Sequence, residues 1–69
     1  MSKNLKFRVA RISADLTQSQ LAELAETSRQ TINSIELGTA NPSLNTCIAL
    51  CRILGKTLDD LFWNEEWEY

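Results

Sequence analysis

Four hydroxyl residues, each standing before a short segment with apolar residues at helical spacing, constrain the fold of this chain more than any other feature. They are Thr17, Ser28, Ser43 and Thr57. A Ser or Thr before a helix accepts a hydrogen bond from a free amide of the first turn, so each residue predicts a helix start. Gly38 and Gly55 predict helix ends, because a left-handed C-terminal cap favours glycine. The chain is therefore expected to fold as a series of short helices.

The first two helices are predicted over about residues 4–14 and from Thr17 onward. The first contains three apolar residues at helical spacing, namely Phe7, Ala10 and Ala14. In the second, Gln20 stands three residues after Thr17 and completes a capping box, in which each residue satisfies a backbone amide near the other.

Three further helices are predicted to run from Ser28 to Gly38, from Ser43 to Leu54, and over a short stretch from Thr57. Loops of about two to five residues join them, which favours a compact all-α domain of five helices. We expect residues 1–62 to form this domain. Residues 63–69 are expected to form a short acidic and aromatic tail, either extended or helical.

Composition argues against several classes of function. The chain has no histidine and only two cysteines, Cys47 and Cys51. These are too few for the usual zinc sites, and four-residue spacing on one helix disfavours a disulfide, so we expect two small core residues. A redox switch is the alternative. Without clustered acid–base groups or room for a pocket in a thin core, we expect no enzyme, metal, cofactor or small-molecule ligand.

No apolar run approaches the roughly 20 residues that a membrane span requires. Lys3 and Lys6 near the N-terminus are not followed by the apolar run of a signal peptide. Together with the unpaired thiols, this favours a cytoplasmic protein without a membrane partner.

The charge distribution is uneven along the chain. All seven basic residues and four acids lie within residues 1–56, giving +3, whereas residues 57–69 hold five acids and no base, giving −5 and a total of −2. A mildly basic body can bind DNA if the acidic tail faces away from it.

The outward face of the third predicted helix has an unusual composition. Gln30, Asn33, Ser34 and Leu37 follow one another at helical spacing, opposite Ile32 and Ile35, and Arg29 flanks them in the first turn. An ordinary solvated helix more often carries Glu and Lys on such a face. Amide side chains suit adenine edges and arginine suits guanine, so this face indicates DNA reading in the major groove.

These segments resemble the lambda-repressor-like helix-turn-helix family of Cro/cI type, also called the Xre family. The resemblance rests on LTQSQLA at 16–22 and SRQTINSIE at 28–36, continued by NPSL at 41–44, LG at 54–55 and LDDLF at 58–62. It covers about residues 4–62. It implies a sequence-specific regulator of transcription that binds double-stranded DNA, and small members of the family are typically dimeric repressors.

The resemblance also implies roles for individual residues. Base contacts fall to Arg29, Gln30 and Ser34, with Asn33 beside them. Contacts with the DNA backbone fall to Gln18, Ser28, Thr39 and Asn41. A buried structural ion pair is implied between Arg11 and Glu36.

Three residues depart from the family pattern. Leu37 stands where a polar residue is usual, Thr39 where a basic residue is frequent, and Glu26 where the turn often has glycine. They imply fewer phosphate contacts and a shallow dependence of DNA binding on salt.

The aromatic tail leaves two kinds of partner open. A homodimer contact is expected from five apolar residues near the C-terminus, namely Leu58, Phe62, Trp63, Trp67 and Tyr69. An antitoxin-type DNA-binding protein, whose tail binds a partner protein, is the first alternative to the dimeric repressor. A protein-interaction module that no longer binds DNA is the second.

Overall fold

The computed structural model describes residues 3–63 and forms five helices joined by short loops. Their bounds are α1 Leu5–Ser13, α2 Gln18–Leu24, α3 Arg29–Leu37, α4 Leu44–Leu54 and α5 Leu58–Phe62. No strand occurs within this range. The expected all-α fold of five helices is confirmed. Trp67 and Tyr69, which the sequence suggested as dimer contacts, lie outside the described residues.

All four predicted hydroxyl caps are present. Each accepts a hydrogen bond from the backbone amide three residues ahead, at 3.0–3.2 Å, in the pairs Thr17–Gln20, Ser28–Thr31, Ser43–Thr46 and Thr57–Asp60. The first and last pairs are complete capping boxes, because Gln20 and Asp60 accept the amide of their capping threonine in return. Local side-chain chemistry therefore sets where these helices begin.

Left-handed backbone ends two helices and shapes two turns. Gly38 and Gly55 cap α3 and α4 with φ of 76° and 64°. Asp15 and Glu26 adopt φ of 61° and 56° although both carry a Cβ atom. A left-handed conformation costs a residue other than glycine about 1–2 kcal/mol, so these two turns are strained.

Asn4 begins α1 and connects it to two other helices. Its Oδ1 accepts the Phe7 amide at 3.1 Å, which caps the helix. Its Nδ2 donates to the Leu61 carbonyl at 2.7 Å, and its backbone amide donates to the Glu36 carbonyl at 3.0 Å. One residue thereby ties the start of α1 to the end of α3 and to α5.

A single core lies between the helices, and each helix contributes one large, fully buried side chain to it. In chain order these are Phe7, Leu21, Ile32, Leu50 and Leu61. Burying a side chain of this size contributes about 1.5–3 kcal/mol. Both cysteines are free thiols on α4, Cys51 in this core and Cys47 half-buried.

Two further features bear on function. No helix within residues 3–63 is long and apolar enough to cross a membrane. In the same range, no cluster of three or more potential ligand side chains is arranged to hold a metal ion.

Candidate nucleic-acid interface

Helix α3 packs against α2 with its apolar side and turns its polar side outward. Ile32 and Ile35 are buried. Of the four residues suggested for base contacts, Arg29, Gln30 and Asn33 are exposed, and Ser34 is half-buried. Helical periodicity alone produces this division, because the buried and exposed residues lie on opposite sides of one helix.

The turn between α2 and α3 is held by two backbone hydrogen bonds. The Thr27 amide donates to the Ala22 carbonyl at 2.9 Å, and the Glu26 amide donates to the Glu23 carbonyl at 3.2 Å. This geometry requires a left-handed residue at 26, which explains the glycine usual in the family. Here Glu26 takes that conformation and leaves an exposed carboxylate beside the start of α3.

The end of α3 is anchored by an ion pair with α1. Arg11 Nε lies 2.6 Å from Glu36 Oε2, Arg11 Nη2 donates to Glu36 Oε1 at 3.2 Å, and Arg11 Nη1 donates to the Leu16 carbonyl at 2.8 Å. The side chains are 12% and 6% exposed. A planar guanidinium can make three such contacts at once, whereas a lysine ammonium lacks this fixed fork. The pair implied by the family resemblance is thus formed, and it anchors the buried side of α3 to α1.

Gln18, at the start of α2, extends this network to the outward face of α3. Its Nε2 donates to Glu36 Oε1 at 3.3 Å and to Asn33 Oδ1 at 3.2 Å. The family resemblance gave Gln18 a phosphate contact, and the sequence offered no indication of these internal bonds. Because both depend on tertiary proximity, they could not be read from the local pattern.

The residues suggested for DNA-backbone contacts lie at both ends of α3. Ser28 caps its start and shares a hydrogen bond of 2.9 Å with the Thr31 hydroxyl. After α3, the Thr39 amide and hydroxyl both donate to the Ser34 carbonyl, at 3.0 and 3.3 Å. Ser28, Thr39 and Asn41 are all exposed. Their contacts with DNA stay predictions.

The suggested dimer residues differ in how accessible they are. Leu58 is 42% exposed, whereas Phe62 is half-buried and its ring packs against Phe7 with centroids 6.0 Å apart. Trp63 is also half-buried, and its carbonyl accepts a hydrogen bond from Lys6 Nζ at 3.3 Å. Phe62 therefore serves the core of its own chain, and Leu58 offers the more open apolar surface.

Helix α1 carries an apolar surface that the sequence analysis did not single out. Leu5, Val9 and Ile12 are 60%, 61% and 55% exposed and lie along one side of the helix. An open groove of about 670 Å³ runs beside α1 and is lined by Leu5, Val9, Leu61 and Trp63 among others. Exposed apolar surfaces of this kind often mark contacts with other proteins.

Comparisons with known proteins agree on the type of fold and domain. The profile of the Helix-turn-helix family matches residues 7–61. Two relatives are described as uncharacterized HTH-type transcriptional regulators. YgzD of Bacillus subtilis is 33% identical and one from Methanocaldococcus jannaschii is 36% identical, and each match covers 88% of this chain and 92% of the relative.

Two crystal structures have a similar fold. The restriction-modification controller protein C.AhdI from Aeromonas hydrophila superposes with a TM-score of 0.77 at 29% identity, over 86% of this chain and 89% of that protein. The clp gene regulator ClgR from C. glutamicum superposes with a TM-score of 0.71 at 24% identity, over 83% and 74%. The second similarity bears on the fold alone.

Proposed function

The chain belongs to the helix-turn-helix family of Cro/cI (Xre) type, and from this membership we propose that it regulates transcription as a dimeric repressor on a palindromic operator. Members of the family are DNA-binding proteins rather than enzymes. The description of both sequence relatives as transcriptional regulators supports a role in gene control. So does the similarity to a restriction-modification controller protein.

One observation carries the proposal, namely the exposed face of α3 formed by Arg29, Gln30 and Asn33. Arginine can donate two hydrogen bonds to guanine, and glutamine can both donate to and accept from adenine. Glu36, on the same helix, is turned inward to Arg11, so its carboxylate does not face the DNA. The face therefore combines base-reading groups with a rigid support.

The proposal of a dimer rests on the geometry of operators. One helix-turn-helix unit reads half of a twofold site, and the two halves lie about 34 Å apart, one turn of DNA. Leu58 on α5 offers exposed apolar surface for a second copy. A dimer bound across a promoter represses by occupying DNA that RNA polymerase needs.

Binding-site selection followed by titration tests the proposal. A random double-stranded DNA library would first be enriched with the wild-type protein. Fluorescence anisotropy would then compare wild type with an Arg29→Ala/Gln30→Ala variant on the selected site at two salt concentrations. We expect binding to weaken at least about 30-fold, the scale of two lost base contacts.

An Arg52→Ala/Asn45→Ala variant is the matched control, because both residues are exposed on α4 and the charge change is the same. It should bind within about twofold of wild type. Sedimentation of the complex should give two chains per site, and a reporter with the site in its promoter should lose expression. Equal and weak binding to every DNA, unaffected by the α3 variant, would reject the proposal.

The apolar surface of α1 favours a second candidate function, that of a DNA-binding antitoxin-type protein with a protein partner. Leu5, Val9 and Ile12 have the i, i+4, i+7 spacing of a helix that docks onto an apolar surface. A Val9→Lys variant would separate the two functions. It should abolish co-purification of a partner from the native host while leaving operator binding intact.

A further inference from the structure

The amide of Gln18 has its orientation fixed by charge. Glu36 Oε1 lies 3.3 Å from one end of that amide, and an ionised carboxylate can only accept hydrogen bonds. The end facing Glu36 must therefore be the NH2 group. Arg11 holds the carboxylate in place from the other side, at 2.6 Å and 3.2 Å, so Glu36 cannot turn away.

The fixed orientation of the Gln18 amide also fixes the orientation of the Asn33 amide on the outward face of α3. The same Gln18 Nε2 has a second N–H, and the Asn33 atom 3.2 Å from it must accept, so that atom is Oδ1. The Asn33 oxygen is thereby turned toward the protein, and its NH2 group becomes the outer end of the side chain. Asn33 is exposed, so those two N–H groups are available to a ligand.

A free asparagine reads adenine by donating to N7 and accepting from N6, which requires both ends of the amide to face the base. With its oxygen turned toward Gln18, Asn33 presents its two N–H donors at the outer end of the side chain. In the major groove, guanine offers two acceptors, O6 and N7, on one edge, whereas adenine offers one acceptor beside a donor and cytosine offers a donor.

We propose that Asn33 reads guanine in the operator through its outward NH2 group, and that Gln18 is the positioning residue that imposes this polarity. The inference rests on the proposed function, namely that α3 lies in the major groove. It differs from the expectation from sequence, in which the amide side chains of α3 suited adenine. The buried pair of Arg11 and Glu36 then contributes to base choice through Gln18, although neither residue touches DNA.

Site selection with four proteins tests the inference: wild type, Asn33→Ala, Gln18→Met and Asn33→Asp. The base pair whose preference is lost with Asn33→Ala is the one that Asn33 contacts. There we expect wild type to favour guanine over adenine by about tenfold, the scale of a two-bond base contact. Gln18→Met keeps the length of the side chain but frees the Asn33 amide to turn, so the guanine preference should fall to within about threefold.

The Asn33→Asp variant reverses the polarity. Its carboxylate can still accept from Gln18 but presents an oxygen outward, so the preference should move to cytosine, whose amino group donates. Asn45→Asp introduces the same charge change at an exposed position of α4 and should leave the guanine preference unchanged. A general loss of stability or affinity cannot produce this change from one base to another.

The outcomes separate the inference from the function on which it rests. A wild-type preference for adenine at that position, or an unchanged preference in a folded Gln18→Met protein, overturns the inference. If Arg29→Ala alters the selected site and Asn33→Ala does not, the inference fails and the proposed function stands. If no sequence is enriched, both fail. If Gln18→Met does not fold, the Asn33→Asp variant decides. A preference of that variant for cytosine supports the inference, and a preference for any other base overturns it.

Discussion

Removing Arg11 leaves Glu36 as a buried carboxylate without its ionic partner. In an Arg11→Ala variant, Gln18 Nε2, at 3.3 Å, is the one side-chain donor to that carboxylate that remains within residues 3–63. The Glu36 side chain is 6% exposed in the intact protein. Breaking a buried ion pair from one side costs about 3–5 kcal/mol, since the remaining charge stays desolvated. We expect the free energy of unfolding to fall by that amount.

A further hydrogen bond of Arg11 places the expected loss of stability in the upper part of this range. Arg11 Nη1 also donates to the Leu16 carbonyl at 2.8 Å, and losing such a bond adds about 0.5–1.5 kcal/mol. At about 0.05–0.15 kcal/mol per residue, a chain of this length has about 3–10 kcal/mol of stability in total. The free energy of unfolding of the variant is therefore expected to be close to zero or only a few kcal/mol. Its Tm should fall by at least about 12 °C, at about 4 °C or more per kcal/mol.

Urea denaturation followed by circular dichroism measures the loss. Arg8→Ala is the matched control, because Arg8 is exposed on the same helix, and it should change stability by less than about 0.5 kcal/mol. An Arg11→Met/Glu36→Met variant should recover most of the lost stability, since it leaves no unpaired charge in the core. The reasoning is refuted if Arg11→Ala behaves like Arg8→Ala. It is also refuted if the double variant is no more stable than the single one.

Two further predictions concern a turn and a helix cap. Glu26→Gly should raise the free energy of unfolding by about 0.5–1 kcal/mol in urea, because glycine adopts the left-handed φ of 56° without strain. An equal gain in Glu26→Gln, which removes only the charge, would contradict this. Hydrogen bonds from the Thr57 amide and hydroxyl lower the pKa of Asp60, so its stabilising effect is present above pH 4 or so and is lost as pH falls through the lowered pKa. Thermal melts of wild type and Asp60→Asn should therefore converge between pH 6 and pH 2, and a constant separation would exclude this origin.

The helix boundaries were predictable because they depend on local chemistry. A capping threonine or serine acts on an amide three residues ahead, and a left-handed glycine ends its own helix. Ser28 and Gly38 thus delimited α3 correctly, and the periodicity between them separated its buried and exposed sides. No long-range information was required for these features.

The contacts that organise the candidate site were less accessible to sequence reasoning. The hydrogen bonds of Gln18 join residues 15 and 18 positions apart, and they depend on how α2 and α3 pack. The ring of Phe62 lies beside Phe7, near the other end of the sequence, and no local pattern indicated this contact. Glu26 was noted as a departure from the usual glycine, but that the turn keeps its left-handed φ despite the side chain was seen only in the structure.

The three hydrogen bonds of Asn4 have a consequence for the order in which the domain folds during synthesis. Its bond to the Leu61 carbonyl spans 57 residues, and contacts of such long range form late because loop closure must come first. A ribosome releases the N-terminal part first, so α1 and the end of α3 emerge before α5 exists to join them. An unfinished or prematurely terminated chain therefore lacks α5 and the bond that fastens α5 to α1, and we expect only the completed polypeptide to fold stably enough to bind DNA.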